Sequence, residues 1–242
     1  MKGISLFSGM GGDSLGMANA GVELVAYSEK ERIFRDTHDL NFPDCKVLGA
    51  DVKSDVTKVP DEEFASYKGS VDIIFSGFPC QGFSQAGKKL PNDPRNTLFR
   101  EFLRATRLIQ PKYIIGENVK GLLTRKTAEG RNYIDVIVES FETIGYRMKY
   151  QVFKCEKYGI PQRRQRLIMV GVRNDIDKEY EFPEPDNVEV GIRDIVKFDM
   201  TGAIKLEKDV FDLDTLPPEC VLEDMTNVEG ENNPHPYLRL KV

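Results

Sequence analysis

The sequence predicts an α/β protein built on a Rossmann-like, mostly parallel sheet with helices on both faces. Three observations point there. Short apolar runs alternate with helix-patterned segments over residues 1–183. The apolar runs close on glycines or polar residues, at the positions where an open α/β sheet presents its ligand-binding groups. The composition is that of an ordinary globular chain, with 242 residues, 40% hydrophobic and 30% charged, enough for one large core plus a small appendage.

The elements follow in order. "GISLFSG" (Gly3–Gly9) is a first strand, and "GDSLGMANAG" a short helix with Asp13 or Ser14 as its cap and Gly21 as its stop. "VELVAYSE" (Val22–Glu29) is a second strand. "CKVLGAD" is a third, ending at Asp51, and "VDIIFSG" (Val71–Gly77) a fourth. "TLFREFLRATRLI" places Leu98, Phe102, Leu103, Ala105, Leu108 and Ile109 at helical spacing. "YIIGEN" (Tyr113–Asn118) is a fifth strand. "YIDVIVESFETIGY" is an amphipathic helix closed by Gly145, and "MKYQVFK" and "RLIMVGV" are the last strands. After Pro183 the pattern weakens, so we expect one domain over residues 1–183 and a linker with an incomplete second unit over 184–242.

Several classes are excluded. No apolar run approaches the roughly 20 residues that span a bilayer, and "MKGISLFSG" is too short and Gly-rich for a signal peptide. The four cysteines form no CxxC pair and no histidine clamp, so neither a metal site nor a disulfide framework is expected, and the chain reads as cytoplasmic. A net charge of −5 does not mark a nucleic-acid binder; that role needs a local basic face.

The chemistry clusters at strand ends. "FSGMGG" (Phe7, Ser8, Gly9, Met10, Gly11, Gly12) opens a helix, where glycines let a ligand approach backbone N–H groups. Glu29 closes the second strand, where a carboxylate accepts bonds from both hydroxyls of a ribose. Asp51 closes the third, placed to accept a bond from an exocyclic amino group. Together they favour an adenosine-type ligand. Cys45, Cys155 and Cys220 read as small buried hydrophobes. Cys80 differs: it follows a strand end and Pro79, and precedes "QGFSQAGKK", a Gly-, Ser- and Lys-rich stretch suited to a lid. "GEN" puts Glu117 and Asn118 at the next strand end, where a buried Glu could donate a proton. "PQRRQR" supplies three arginines, with Arg164 and Arg166 on one face and Arg163 on the other.

These motifs resemble the catalytic part of the cytosine-C5 DNA methyltransferases. "LFSGMGG", "GFPCQGFSQAG", "ENV" and "YGIPQRRQRLIMVG" match the family's motifs in order and spacing over roughly residues 3–195. The resemblance implies the S-adenosylmethionine-dependent methyltransferase fold, S-adenosylmethionine as cofactor and DNA as partner. It implies that Phe7 lies against the cofactor with Ser8, Gly9, Gly11 and Gly12 beside it. Glu29 would hold the ribose and Asp51 the adenine amino group, while Val52, Phe78 and Leu98 would line the pocket. Cys80 would be the nucleophile, Glu117 would serve N3 of the cytosine, and Arg166 with Arg164 would hold its O2. Pro79, Gln81, Ser84, Asn118 and Gln162 would contact substrate. The family's second arginine-threonine element and its closing "GN-V-P" segment have no counterpart here. The chain stops at a strand-like "YLRLKV", so we expect a second polypeptide to carry the rest of the recognition domain. An RNA-directed (transfer RNA) branch of the family and a non-catalytic cofactor-binding stimulatory subunit are the alternatives.

Overall fold

The computed structural model describes residues 1–79, 98–127 and 130–186, with 188 and 190. These fall in one compact unit, Met1–Ile195. Cys80, Gln81, Ser84, most of the unit expected over 184–242 and the "YLRLKV" end lie outside the described residues.

Seven strands form one sheet: β1 (Lys2–Leu6), β2 (Glu23–Ser28), β3 (Lys46–Val47), β4 (Ile73–Ser76), β5 (Tyr113–Asn118), β6 (Tyr146–Lys154) and β7 (Gln165–Arg173). Their order is β3-β2-β1-β4-β5-β7-β6. The first five strands pair in parallel, and β7 runs antiparallel between β5 and β6. The expected mostly parallel sheet is thus present, reversed only at β7. Five helices accompany it: α1 (Gly12–Asn19), α2 (Arg32–Asn41), α3 (Asp61–Ala65), α4 (Phe99–Ile109) and α5 (Tyr133–Glu142).

Parallel strands are buried on both faces, and successive side chains point to opposite sides. Ile74 therefore joins Ile4, Leu6, Ile114, Leu167 and Met169 against Phe102, Ala105 and Ile109 of α4 and Ile134, Ile137 and Phe141 of α5. Its neighbour Ile73 turns the other way and packs with Met17 of α1 and Val22. Helices thus cover both faces.

The structure departs from the sequence reading at three places. β3 is only two residues long, and Asp51 falls in a 3-10 turn, Ala50–Val52, after it. α2 occupies a stretch that the strand-and-helix alternation left unassigned. Neither Asp13 nor Ser14 caps α1: the cap is Gly11, at φ 95°, with no side-chain bond. Glycine is required at that position twice over, because a Cβ there would meet Phe42 at 2.8 Å and His38 at 3.0 Å.

The displaced Ser14 has another partner. Its Oγ lies 2.9 Å from Nε2 of His38, which stacks on Tyr27 at 3.7 Å between ring centres. His38 is fully buried, and its Nδ1 has no hydrogen-bond partner. Burial pushes its pKa below the ordinary imidazole value, against a smaller upward pull from Asp39. The folded state then binds fewer protons than the unfolded chain, so this contribution is complete above about pH 6.5 and is lost as pH falls below it. His38→Gln retains a group for Ser14 but takes up no proton. Urea unfolding should therefore show the wild type losing more stability than this variant between about pH 6.5 and 5.

Candidate active site

The carboxyl ends of β1, β2 and β4 open onto a cavity of about 650 Å³, within the usual range for small-molecule sites. Phe7, Ser28, Glu29, Ser54, Gly77, Pro79 and Leu98 are among its lining residues. The loop after β1 is tightly folded. Phe7 takes the left-handed conformation at φ 58°, a strained choice for a non-glycine residue and one that clusters at functional sites. Ser8 donates its N–H to Ser28 O at 3.0 Å, and Gly11 donates to Ser8 O at 3.0 Å.

Glu29 organises this end of the sheet. Its Oε2 accepts from Gly9 N at 2.9 Å and its Oε1 from Glu31 N at 2.8 Å. Its own N–H donates to Ser54 Oγ at 3.0 Å. Arg35, which sequence reasoning did not single out, donates to the carbonyls of Glu29, Lys30 and Lys53. A carboxylate offers about four acceptor positions, so a fixed Glu29 still has lone pairs for the two hydroxyls of a ribose.

S-adenosylmethionine fits the residues present. The cavity is lined by Glu29 and Phe7, and buried hydroxyls near it lack partners among the described residues. Ser28 lines it, and the buried Oγ atoms of Ser28, Ser8 and Ser76 at or just beyond these strand ends have no hydrogen-bond partner among the described residues. Buried hydroxyls of this kind call for a ligand or water. Among the described lining residues there are four carboxylates, of which Asp55 is paired with Lys30 and Glu101 with Arg104, leaving Glu29 and Glu31 as negative charge that suits a sulfonium.

Not every expected cofactor residue lines the cavity. Asp51 is exposed on its 3-10 turn, Val52 is half-buried beside it, and neither contributes to the lining. Asp55 does. Burial would raise its carboxyl, but bonds from Thr57 and the 3.2 Å ion pair with Lys30 hold it below the usual carboxylate range. Phe78 is buried and packs toward Phe102, behind the cavity wall.

β5 and β7 bring the second group of residues together. Glu117 pairs across the ladder with Ile168, which places Arg166 two positions further along β7. Arg166 Nε reaches Glu117 Oε1 at 2.6 Å. The Glu117 side chain is 28% exposed rather than buried, so it can meet a ligand from solvent. Gly77 separates it from the cavity. A Cβ there would stand 3.9 Å from Glu117 Oε2 and 3.8 Å from Phe7 O, in the gap between them. Asn118 is buried, and its amide donates to Phe78 O at 3.2 Å while its Oδ1 accepts from Val119 N at 2.9 Å. It thereby anchors the segment leading to Cys80. Gln162, Arg163 and Arg164 are exposed before β7, and Arg164 does not share the Arg166–Glu117 contact.

With this geometry in view, the comparisons with known proteins are decisive. A family model for C-5 cytosine-specific DNA methylase matches residues 1–229. The chain belongs to that family. It is 40% identical over 191 residues to the Type II methyltransferase M1.HphI of Haemophilus parahaemolyticus, covering 77% of this chain and 49% of that protein. It is 39% identical over 189 residues to M.XorII of Xanthomonas oryzae pv. oryzae, covering 76% of this chain and 43% of that protein. The chain thus spans less than half the length of these family members. Among solved structures, a prophage-encoded E. coli protein assigned as a DNA modification methyltransferase superposes with a TM-score of 0.66 at 28% identity, over 80% of this chain and 53% of that one. The sheet and its helices are therefore the methyltransferase fold that the motifs implied. Among the described residues, no helix is long and apolar enough to cross a membrane, and no group of metal-ligating side chains occurs.

Asp13 is the titratable group that motif reading missed as chemistry. Its carboxylate accepts from Ser5 Oγ beneath the loop. Burial pushes its pKa up to about 6, hydrogen bonds from Ser5 and the backbone work against that, and the charge of Glu117 adds to it. The folded value lies above the unfolded one, so the stabilising contribution is complete below about pH 4 and is lost as pH rises through 6. Asp13→Asn should therefore stabilise the fold at pH 7.5, by on the order of 1–3 kcal/mol, and the gain should vanish toward pH 4 in denaturant titrations.

Proposed function

We propose that this chain is the catalytic part of an enzyme that methylates C5 of cytosine in DNA, with S-adenosylmethionine as cofactor. One observation supports the reading most. Pro79, the residue before Cys80, lines the same cavity as Phe7 and Glu29, and Glu117 stands across Gly77 from it. The residue preceding the proposed nucleophile, a carboxylate and the cavity thus stand at adjoining strand ends.

C5 of cytosine is a weak nucleophile. The Cys80 thiolate adds to C6, forming an S–C6 bond and moving the C5=C6 electron pair onto C5. When bound, S-adenosylmethionine supplies its sulfonium methyl carbon as the electrophile that C5 takes. Glu117 donates a proton to N3 and so draws charge out of the ring as the thiolate adds. Arg166, held on Glu117, keeps that carboxylate aimed and offers its remaining N–H groups to O2. A base then takes the C5 proton, the C5–H electron pair re-forms the C5=C6 double bond, and the S–C6 pair leaves with sulfur as the thiolate. None of this is reachable in a stacked duplex, so the cytosine is flipped out. In the cofactor site, Glu29 holds the ribose and Phe7 and Leu98 border it. Asp55 rather than Asp51 faces the cavity beside them.

We infer that DNA reading needs a surface beyond the described residues. A second polypeptide supplying it is consistent with the net charge of −5, since DNA affinity rests largely on phosphate neutralisation.

Cys80→Ser should abolish transfer of labelled methyl groups into DNA, and it should abolish covalent capture by 5-fluorocytosine DNA. Both assays are run with the chain alone and with any partner chain. Wild-type turnover by Cys80→Ser would remove the nucleophile assignment. Glu29→Ala should weaken S-adenosylmethionine binding by about 10–150-fold, the loss of about 1.5–3 kcal/mol of charge-assisted hydrogen bonding. Calorimetry checks this directly.

A further inference from the structure

We propose that Arg104 is a positioning residue for the cofactor cavity, fastening the first turn of α4 to the loop of residues 54–57 so that the two walls keep a fixed separation. The inference rests on the cofactor-site reading above. The two walls are distant in sequence, and no strand ladder joins them. One wall is Leu98 and Glu101 at the start of α4; the other is Ser54, Asp55, Val56 and Thr57.

The Arg104 guanidinium spans them. Nε donates to Glu101 Oε2 at 2.8 Å. Nη2 donates to Val56 O at 2.7 Å, and Nη1 donates to Val59 O at 3.0 Å and Asp61 Oδ1 at 2.5 Å. Its carbon sits 4.9 Å from the ring centre of Phe64, which is fully buried. The side chain is 20% exposed, so much of this bonding is screened from water. Two partners, Glu101 and Val56, are themselves cavity residues. The loop continues the connection inward, because Ser54 Oγ accepts the N–H of Glu29. Arg104 therefore acts on the ligand through Glu101, Val56 and Glu29, without touching it.

Lysine cannot replace this arrangement. Its ammonium is one point charge on a flexible stem, whereas the planar fork of arginine reaches two carbonyls and two carboxylates in fixed directions. A charge at this position is therefore insufficient; the shape of the group carries the role.

The test uses the full 242-residue chain and S-adenosylhomocysteine as the calorimetric probe, at a temperature where every variant is folded by circular dichroism. Arg104→Lys and Arg104→Gln should each raise Kd about tenfold, the scale expected when a binding group is misplaced by a distant change. Asp61→Asn removes one exposed anchor outside the cavity and should raise Kd about two- to threefold. A residue with a structural role alone would lower the melting temperature and leave Kd unmoved. Wild-type affinity in Arg104→Lys or Arg104→Gln would overturn the proposal while leaving the cofactor site standing. A wild-type chain that fails to bind the probe would overturn the cofactor reading and this proposal with it.

Discussion

The carboxylate of Glu29 holds the working end of this sheet together. Parallel strands deliver their carboxyl ends to one edge, but nothing in the ladder fixes the loops that follow. Glu29 does so by accepting from Gly9 after β1 and from Glu31 ahead of α2, while its own N–H is held by Ser54 after β3. Arg35 secures the same turn from the side by donating to three carbonyls. A ligand carboxylate that wandered among rotamers would have to be ordered on binding, at an entropic cost. Here that cost has been met in folding, so Glu29 is oriented before any ligand, such as the proposed ribose, arrives.

Much of this was legible beforehand. The strands β1, β2, β4 and β5 carry continuous apolar runs because both faces are buried, and each ends in a residue that cannot continue a core: Phe7 in an αL turn, Glu29, Gly77, Asn118. Such boundaries are visible in a sequence. β3 was not, since a two-residue edge strand buries too little to impose a pattern, and Asp51 was therefore read as a strand end when it sits on a turn. Asp13 and Ser14 look like helix caps, yet they face inward to Ser5 and His38 because Gly11 already turns the chain. Local propensity gave way there to packing between α1, α2 and β2. Arg104 carries a partial signal in its spacing to Glu101, but its bonds to Val56 and Val59 cross more than forty residues and exist only in the fold.

Side-chain ties between neighbouring strands hold the described part of the site. Asn118 spends its amide on Phe78 O, so the backbone entering the Cys80 segment is tied to β5, the strand that also carries Glu117. Arg166 ties β7 to that same carboxylate. The residues leading into the proposed nucleophile segment and the carboxylate proposed to bind the ring therefore share one support. Misplacement by about 1 Å is costly in such chemistry.

Charge separates the ligands that this architecture could otherwise take. A Gly-rich turn after β1 and a carboxylate after β2 also serve dinucleotide sites, so neither feature chooses between a nicotinamide cofactor and a sulfonium nucleoside. The surroundings do. A dinucleotide would bring a pyrophosphate toward Glu29 and Glu31, while among the described lining residues the one cation, Lys30, is already paired with Asp55 at 3.2 Å. In a partly desolvated cavity that repulsion is not screened as it is in water. A sulfonium nucleoside carries its charge with the opposite sign and no phosphate, and it meets attraction from Glu29 and Glu31. The fold permits both ligands, and the sign of the lining charge favours the second.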